Sequence, residues 1–181
     1  MDPRDQLDDI LPRLTALVAP LTEAQLDQPT ACAKFAIRDV LDHMITGATM
    51  FAAAFRGETA GPTPALADLV AGFAPAMEAV RTAVRSPGAL ERTIAAPFGE
   101  VPGDVFARFL AMDGLVHGWD IATATGQAYD PPADLVATVD AFARSAITED
   151  MRDGDTFAAA ADAPAGSSTL EGLVAFTGRR V

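Results

Sequence analysis

Apolar residues recur at helical spacing through most of the chain. Leu7, Ile10, Leu11, Leu14 and Leu17 or Val18 form one stripe of the i, i+3, i+4 type, which predicts a first helix over residues 5–18. Pro12 falls within the stripe, so the helix is expected to kink there or to start nearer Leu11, and Pro20 stops it. Thr22-Glu23-Ala24-Gln25 has the spacing of a capping box for one short turn. PTACAKF, residues 29–35, reads as a loop. A second long helix is predicted over Ile37–Phe55, with Val40, Leu41, Met44 and Phe51 on its apolar face and Arg56-Gly57 closing it. After the Pro-containing loop GETAGPTP, a third is predicted over Ala65–Val84, with Leu66, Leu69, Val70, Phe73, Met77, Val80 and Val84 on one stripe and a bend at Pro75.

Ser86-Pro87-Gly88 breaks the helical pattern. In residues 89–103, Thr93-Ile94 and Phe98–Val101 suit either a short extended pair or an irregular connector. A fourth long helix is predicted from an N-cap at Asp104 to Thr125, ended by Gly126. Pro131-Pro132 opens a fifth over Ala133–Ile147, residues 150–168 read as irregular, and a last short helix covers Leu170–Thr177. No repeat is visible. The expectation is one all-α domain over residues 1–181, a helical bundle whose ligand or metal sites lie between facing helices.

Composition narrows the function. Half of the residues are hydrophobic, which supplies a sizeable core. The net charge of −12 argues against nucleic acid and against anionic membrane surfaces, because both need clustered Lys and Arg. Its plainest meaning is solubility. Cys32 is the one cysteine, so no intrachain disulfide forms. The N-terminus lacks the pattern of a signal peptide, and the run from Met44 to Phe55 is too short to span a bilayer. A cytoplasmic location is expected, with a small molecule as partner, no nucleic acid, no membrane, and a homodimer as an open option.

The two histidines, His43 and His117, both fall inside long predicted helices. In DGLVHGWD, residues 113–120, a step of 100° per residue puts Asp113 about 40° from His117 and Asp120 about 60° away on its other side. Trp119 points to another surface. A carboxylate one turn before an imidazole can share a metal ion with it, and His43 completes a His, Asp, His set if the two helices are neighbours. Such a set suits zinc or a similar divalent ion and leaves a coordination position open, as in catalytic sites. The plainer reading is an ordinary polar stripe with hydrogen-bonded histidines.

PTACAKFAIRDVLDHMITG resembles the signature of the DinB/YfiT-like metal-binding proteins, in the branch related to the N-terminal domain of mycothiol-dependent maleylpyruvate isomerase. Pro29, Thr30, Cys32, Phe35, Asp39, Val40, Leu41 and His43 carry the likeness. DGLVHGWDIATATGQ resembles the branch's acidic-x-x-x-His-x-Trp-Asp segment, and TLEGLVAFTGRRV its closing helix. The resemblance implies a DinB-like four-helix bundle with a metal held by His43, Asp113 and His117. The acidic position is Glu in the isomerase type and Asp113 here, which asks for closer helix approach or a bridging water. Ala31 stands where proline is usual, and Phe35 where tryptophan is common. The isomerase's second domain has no counterpart in the sequence, which argues against maleylpyruvate as substrate.

Three functions follow as expectations. The first is a metal-dependent enzyme, with zinc or nickel, that activates a low-molecular-weight thiol such as mycothiol for S-transfer or isomerisation. Asp120 then orients His117 or acts as an acid/base group. The second is a metal-binding small-molecule-binding protein, or a hydrolase using metal-bound water. The third is a bundle that has lost its metal. Cys32 reads as a small buried hydrophobe rather than a nucleophile. Arg179 and Arg180 read as solvated end residues or as supporting a helix C-terminus, or as reaching an anionic substrate if the tail folds over the bundle. Arg38 points away from His43.

Overall fold

Each apolar stripe folds as a helix with its stripe turned inward. The computed structural model describes residues 1–61, 68–96, 98–152, 154 and 157–181. Among these the helices are α1 (Pro3–Val18), α2 (Glu23–Leu26), α3 (Ile37–Arg56), α4 (Leu69–Val84), α5 (Gly103–Thr125), α6 (Ala133–Ala146) and α7 (Thr169–Phe176), with a 3₁₀ turn at Glu149–Met151. Strands β1 (Thr93–Ala96) and β2 (Gly99–Pro102) form an antiparallel hairpin, Thr93 opposite Pro102, so the extended-pair alternative is the one adopted.

Helix α1 starts earlier than its stripe suggests. The Asp2 carboxylate accepts the Arg4 N–H at 2.8 Å, and Pro3 occupies the first turn, where no N–H is needed. Pro12 faces solvent and the helix passes through it. The start of the third predicted helix, with Ala65 and Leu66, lies outside the described residues; Asp68 caps α4 by accepting the Ala71 N–H at 3.0 Å.

Helix α5 departs from its expected cap. Its first residue is Gly103, so Asp104 sits in the first turn. The Gly103 and Asp104 amides donate to Arg92 O at 2.8 Å and Leu90 O at 3.0 Å. Backbone carbonyls thus take the amides that a capping side chain would have served. A Cβ on Gly103 would lie 2.3 Å from Ala89 O, so only glycine lets the two backbones approach.

Helices α1, α3, α4 and α5 make the four-helix bundle expected of the chain. Helix α3 packs mainly on α4, α1 packs on both α5 and α4, and α3 and α5 meet at far fewer points. Helices α6 and α7 pack on each other, with α6 also on α5. Ile10, Leu14, Leu41, Phe55, Phe73 and Leu115 are fully buried in the core. Each contributes roughly 1.5–3 kcal/mol through area removed from water. Helix α5 is apolar over most of its surface because it is covered on most sides, and the polar side chains buried along it are His117 and Asp120. No described helix is long and apolar enough to cross a membrane.

The segment after α5 packs back onto it at Gly118. A Cβ there would lie 2.5 Å from Tyr129 Cζ and 2.6 Å from its hydroxyl. Both residues are largely enclosed, so Gly118→Ala should lower stability by about 1–3 kcal/mol, the usual cost of overpacking. A urea titration checks this, and an unchanged midpoint would show that the Tyr129 segment yields freely.

Candidate metal centre

The loop that precedes α3 is built around Thr30. Its hydroxyl donates to Phe35 O at 2.7 Å and accepts the Cys32 N–H at 3.2 Å, while the Phe35 N–H donates to Cys32 O at 2.8 Å. Pro29 and Ala36 pair as an isolated bridge, and the Asp39 carboxylate accepts the Ala36 N–H at 2.8 Å, closing the start of α3. These bonds aim the Phe35 ring back over the helices. It lies 5.7 Å from the His43 ring and 6.4 Å from the His117 ring, nearly parallel to the latter. Phe35 therefore covers the imidazoles from one side.

His43, on α3, sits two turns into its helix and faces α5. His43 Nε2 is 3.6 Å from Asp113 Oδ1, and His117 Nε2 is 3.4 Å from the same oxygen. One donor atom from each of the three residues lies within 4.8 Å of the other two. The shorter Asp113 side chain therefore reaches both imidazoles. His117 is buried, while His43 and Asp113 keep 46% and 39% of their side-chain surface open. Burial pushes the Asp113 carboxyl up, but the adjacent imidazoles and Arg179 outweigh it and bring it down to about 2. Its hydrogen bond to that carboxylate raises His43 against the opposing effect of burial.

Asp120 has no solvent exposure and contacts His117 from behind, with Oδ2 2.9 Å from Nδ1. An acceptor carboxylate there assigns the imidazole proton to Nδ1 and leaves the Nε2 lone pair facing Asp113 and His43. Arg179 holds Asp120 in turn, donating from Nη2 to Oδ2 at 3.0 Å and from Nε to Oδ1 at 3.4 Å. The tail is not solvated at this point: the Arg179 side chain is 12% exposed, whereas Arg180 is exposed. Helix α7 ends in a Schellman turn, with the Arg179 N–H on Val174 O and the Gly178 N–H on Ala175 O. Gly178 has φ of 99°, and a Cβ there would meet Ala158 Cβ at 2.6 Å. That turn directs Arg179 onto α5. The sequence carries a cue for it, a capping box at Ser168 and Glu171 followed by Gly178, but nothing local says where the arginine goes.

The residues fit a divalent cation. Two imidazoles and one ionised carboxylate converge, one imidazole is already oriented by a buried carboxylate, and the open side leads into a cavity of about 600 Å³. Cys32, half-buried, lines that cavity, and burial pushes its thiol up. Arg38 turns outward to Asp27 at 2.7 Å and Glu23 at 3.5 Å. Trp119 packs at the edge of the core, away from the three donors.

Residues 7–122 match the family described as the mycothiol maleylpyruvate isomerase N-terminal domain. Two uncharacterized proteins of Mycobacterium tuberculosis, Rv0738 of strain H37Rv and MT0763 of strain CDC 1551, are each 32% identical over 167 residues. The alignment covers 92% of this chain and 91% of theirs. No solved structure matches the chain. The match spans both histidine helices and the loop that covers them, and the chain belongs to the family of the mycothiol maleylpyruvate isomerase N-terminal domain, the DinB-like branch.

Proposed function

We propose that the protein is a metal-dependent enzyme that uses a low-molecular-weight thiol of the mycothiol type to transfer sulfur to, or isomerise, a small electrophile. The observation that carries this reading is the convergence of His43, Asp113 and His117 at the polar end of a cavity. These three would hold the cation, zinc or nickel by donor type. A bound divalent cation supplies stabilisation of a thiolate over its thiol, and so a nucleophile at neutral pH.

The chain's own residues divide the remaining work. Asp120 holds the His117 proton at Nδ1 and, with both oxygens engaged and no exposure, acts as a positioning residue rather than an acid or base on substrate. Phe35 excludes water from one side of the imidazoles. Cys32 is a poor candidate for the nucleophile, because burial disfavours its thiolate. In a transfer, the thiol gives up its proton to solvent, its sulfur bonds to the electrophilic carbon and the displaced group leaves with the bonding pair.

The test is a thiol-conjugation assay with metal-loaded protein, monochlorobimane as electrophile, and mycothiol, glutathione, cysteine and coenzyme A as thiols in turn. Conjugation with one thiol, lost in His43→Ala, supports the reading. No conjugation with any of them sinks it and leaves a binding protein or a metal-water hydrolase.

A further inference from the structure

The cavity beside the three donors is polar at one end only. Its charged lining residues are His43, Asp113, His117 and Arg179, together with Lys34 in the loop that carries Phe35. The other end is walled by Phe51, Phe98, Phe106, Phe109, Met77 and Val80. There Phe51 meets Phe106 with ring centres 4.4 Å apart, and Phe98 meets Phe109 at 4.6 Å. The limb exists because α3 leans on α4 and α1 on α5, so α3 and α5 enclose space instead of closing on each other. His43 and Phe51 are eight residues apart on α3, which sets the limb's length at about 12 Å. Gly47 and Ala48 stand along the wall between them and keep it wide.

From this shape we infer that the substrate is a molecule with one polar, reactive end and an elongated apolar body, alkyl or aryl, that fills the limb towards Phe106. The inference rests on the proposed function, whose electrophile it assigns to a chemical class. A compact substrate charged at both ends is disfavoured. Its second charge would lie among phenylalanine rings with no cation among the described lining residues at that end. An apolar body instead replaces weakly held water, which favours binding. Gly47 is the width-setting residue. A Cβ there would meet only the Phe51 ring, at 3.5 Å and 3.7 Å, so a larger side chain enters the limb without striking backbone.

The experiment titrates the full chain, both zinc-loaded and chelator-treated, with butanol, hexanol, octanol and the eight-carbon terminal diol by calorimetry. Affinity should rise about fourfold per added methylene in both forms. The diol should bind about tenfold more weakly than octanol, since its second hydroxyl is buried without a partner. Gly47→Leu should flatten the series while metal content stays as in wild type; Val80→Phe is the second blocking variant if the first does not fold. A flat series in the unsubstituted protein, a diol that binds as tightly as octanol, or a slope untouched by a folded blocking variant overturns the inference. Metal content is read separately. A rising series in protein that takes up no metal therefore refutes the proposed function and not the limb, and a flat series with full metal does the reverse.

Discussion

Alanine at position 117 should leave the protein with under about a tenth of the metal carried by wild type, measured by elemental analysis after purification without chelators or metal columns. Groups that only orient a ligand are worth about 10–100-fold in affinity, and His117 supplies a donor atom itself. His43→Ala should lose metal to a similar degree, since it removes another of the three converging donors. The two variants should differ in what else they lose. His117 is buried against Asp120, with 5% of its side chain exposed, so its removal opens a void in the bundle and takes away one of the two partners of Asp120 Oδ2. His43 keeps nearly half of its surface open and costs little packing. In chelator-treated protein, urea titration should therefore show a loss of roughly 1–3 kcal/mol for His117→Ala and under about 0.5 kcal/mol for His43→Ala. Wild-type metal content in either variant would remove that residue from the ligand set.

Asp120→Ala should damage both the fold and the metal site. It leaves the Arg179 guanidinium, 12% exposed, without its carboxylate and the His117 Nδ1 without its acceptor. Breaking a buried pair from one side costs about 3–5 kcal/mol. The lower figure applies here, because Arg179 also lines the cavity and can turn towards water. About 3 kcal/mol is a large share of a stability of roughly 5–15 kcal/mol and corresponds to a drop of about 6–12 °C in melting temperature. Metal affinity should fall about 10–100-fold at the same time, with the three donors still present. Arg179→Met placed on Asp120→Ala should recover part of the stability, since it removes the stranded charge, but none of the metal affinity. Two separable losses of this kind are what a positioning role requires. Equal recovery of both would mean that Arg179, not the imidazole proton, governs the metal affinity.

Much of the bundle was legible from periodicity. Four long stripes became α1, α3, α4 and α5, with the ends of α1, α3 and α5 within a residue or two of those expected, because an amphipathic helix needs only its own spacing and a core to face. The cap of α5 was not legible. Its first amides are taken by carbonyls of Leu90 and Arg92, and backbone acceptors leave no residue-type signal. The choice among the alternatives for Arg179 was hidden for a similar reason. Its partner Asp120 is 59 residues away, and the Schellman turn that joins them sets a direction without naming a destination. The elongated cavity was equally hidden, since Gly47 and Phe51 look like ordinary helix positions until α3 is seen to lean away from α5.

The sequence by itself determined that Asp113, His117 and Asp120 project from one side of one helix. That relation depends only on 3.6 residues per turn. It also determined that a loop, PTACAKF, precedes the helix bearing His43. Only the tertiary structure decided that His43 faces Asp113 across the bundle, that Asp120 is held by Arg179, and that an apolar limb extends from the donors. Those relations come from how whole helices lean on one another. Such packing is set by the sum of many weak contacts between distant segments, and no local stretch of the chain records it.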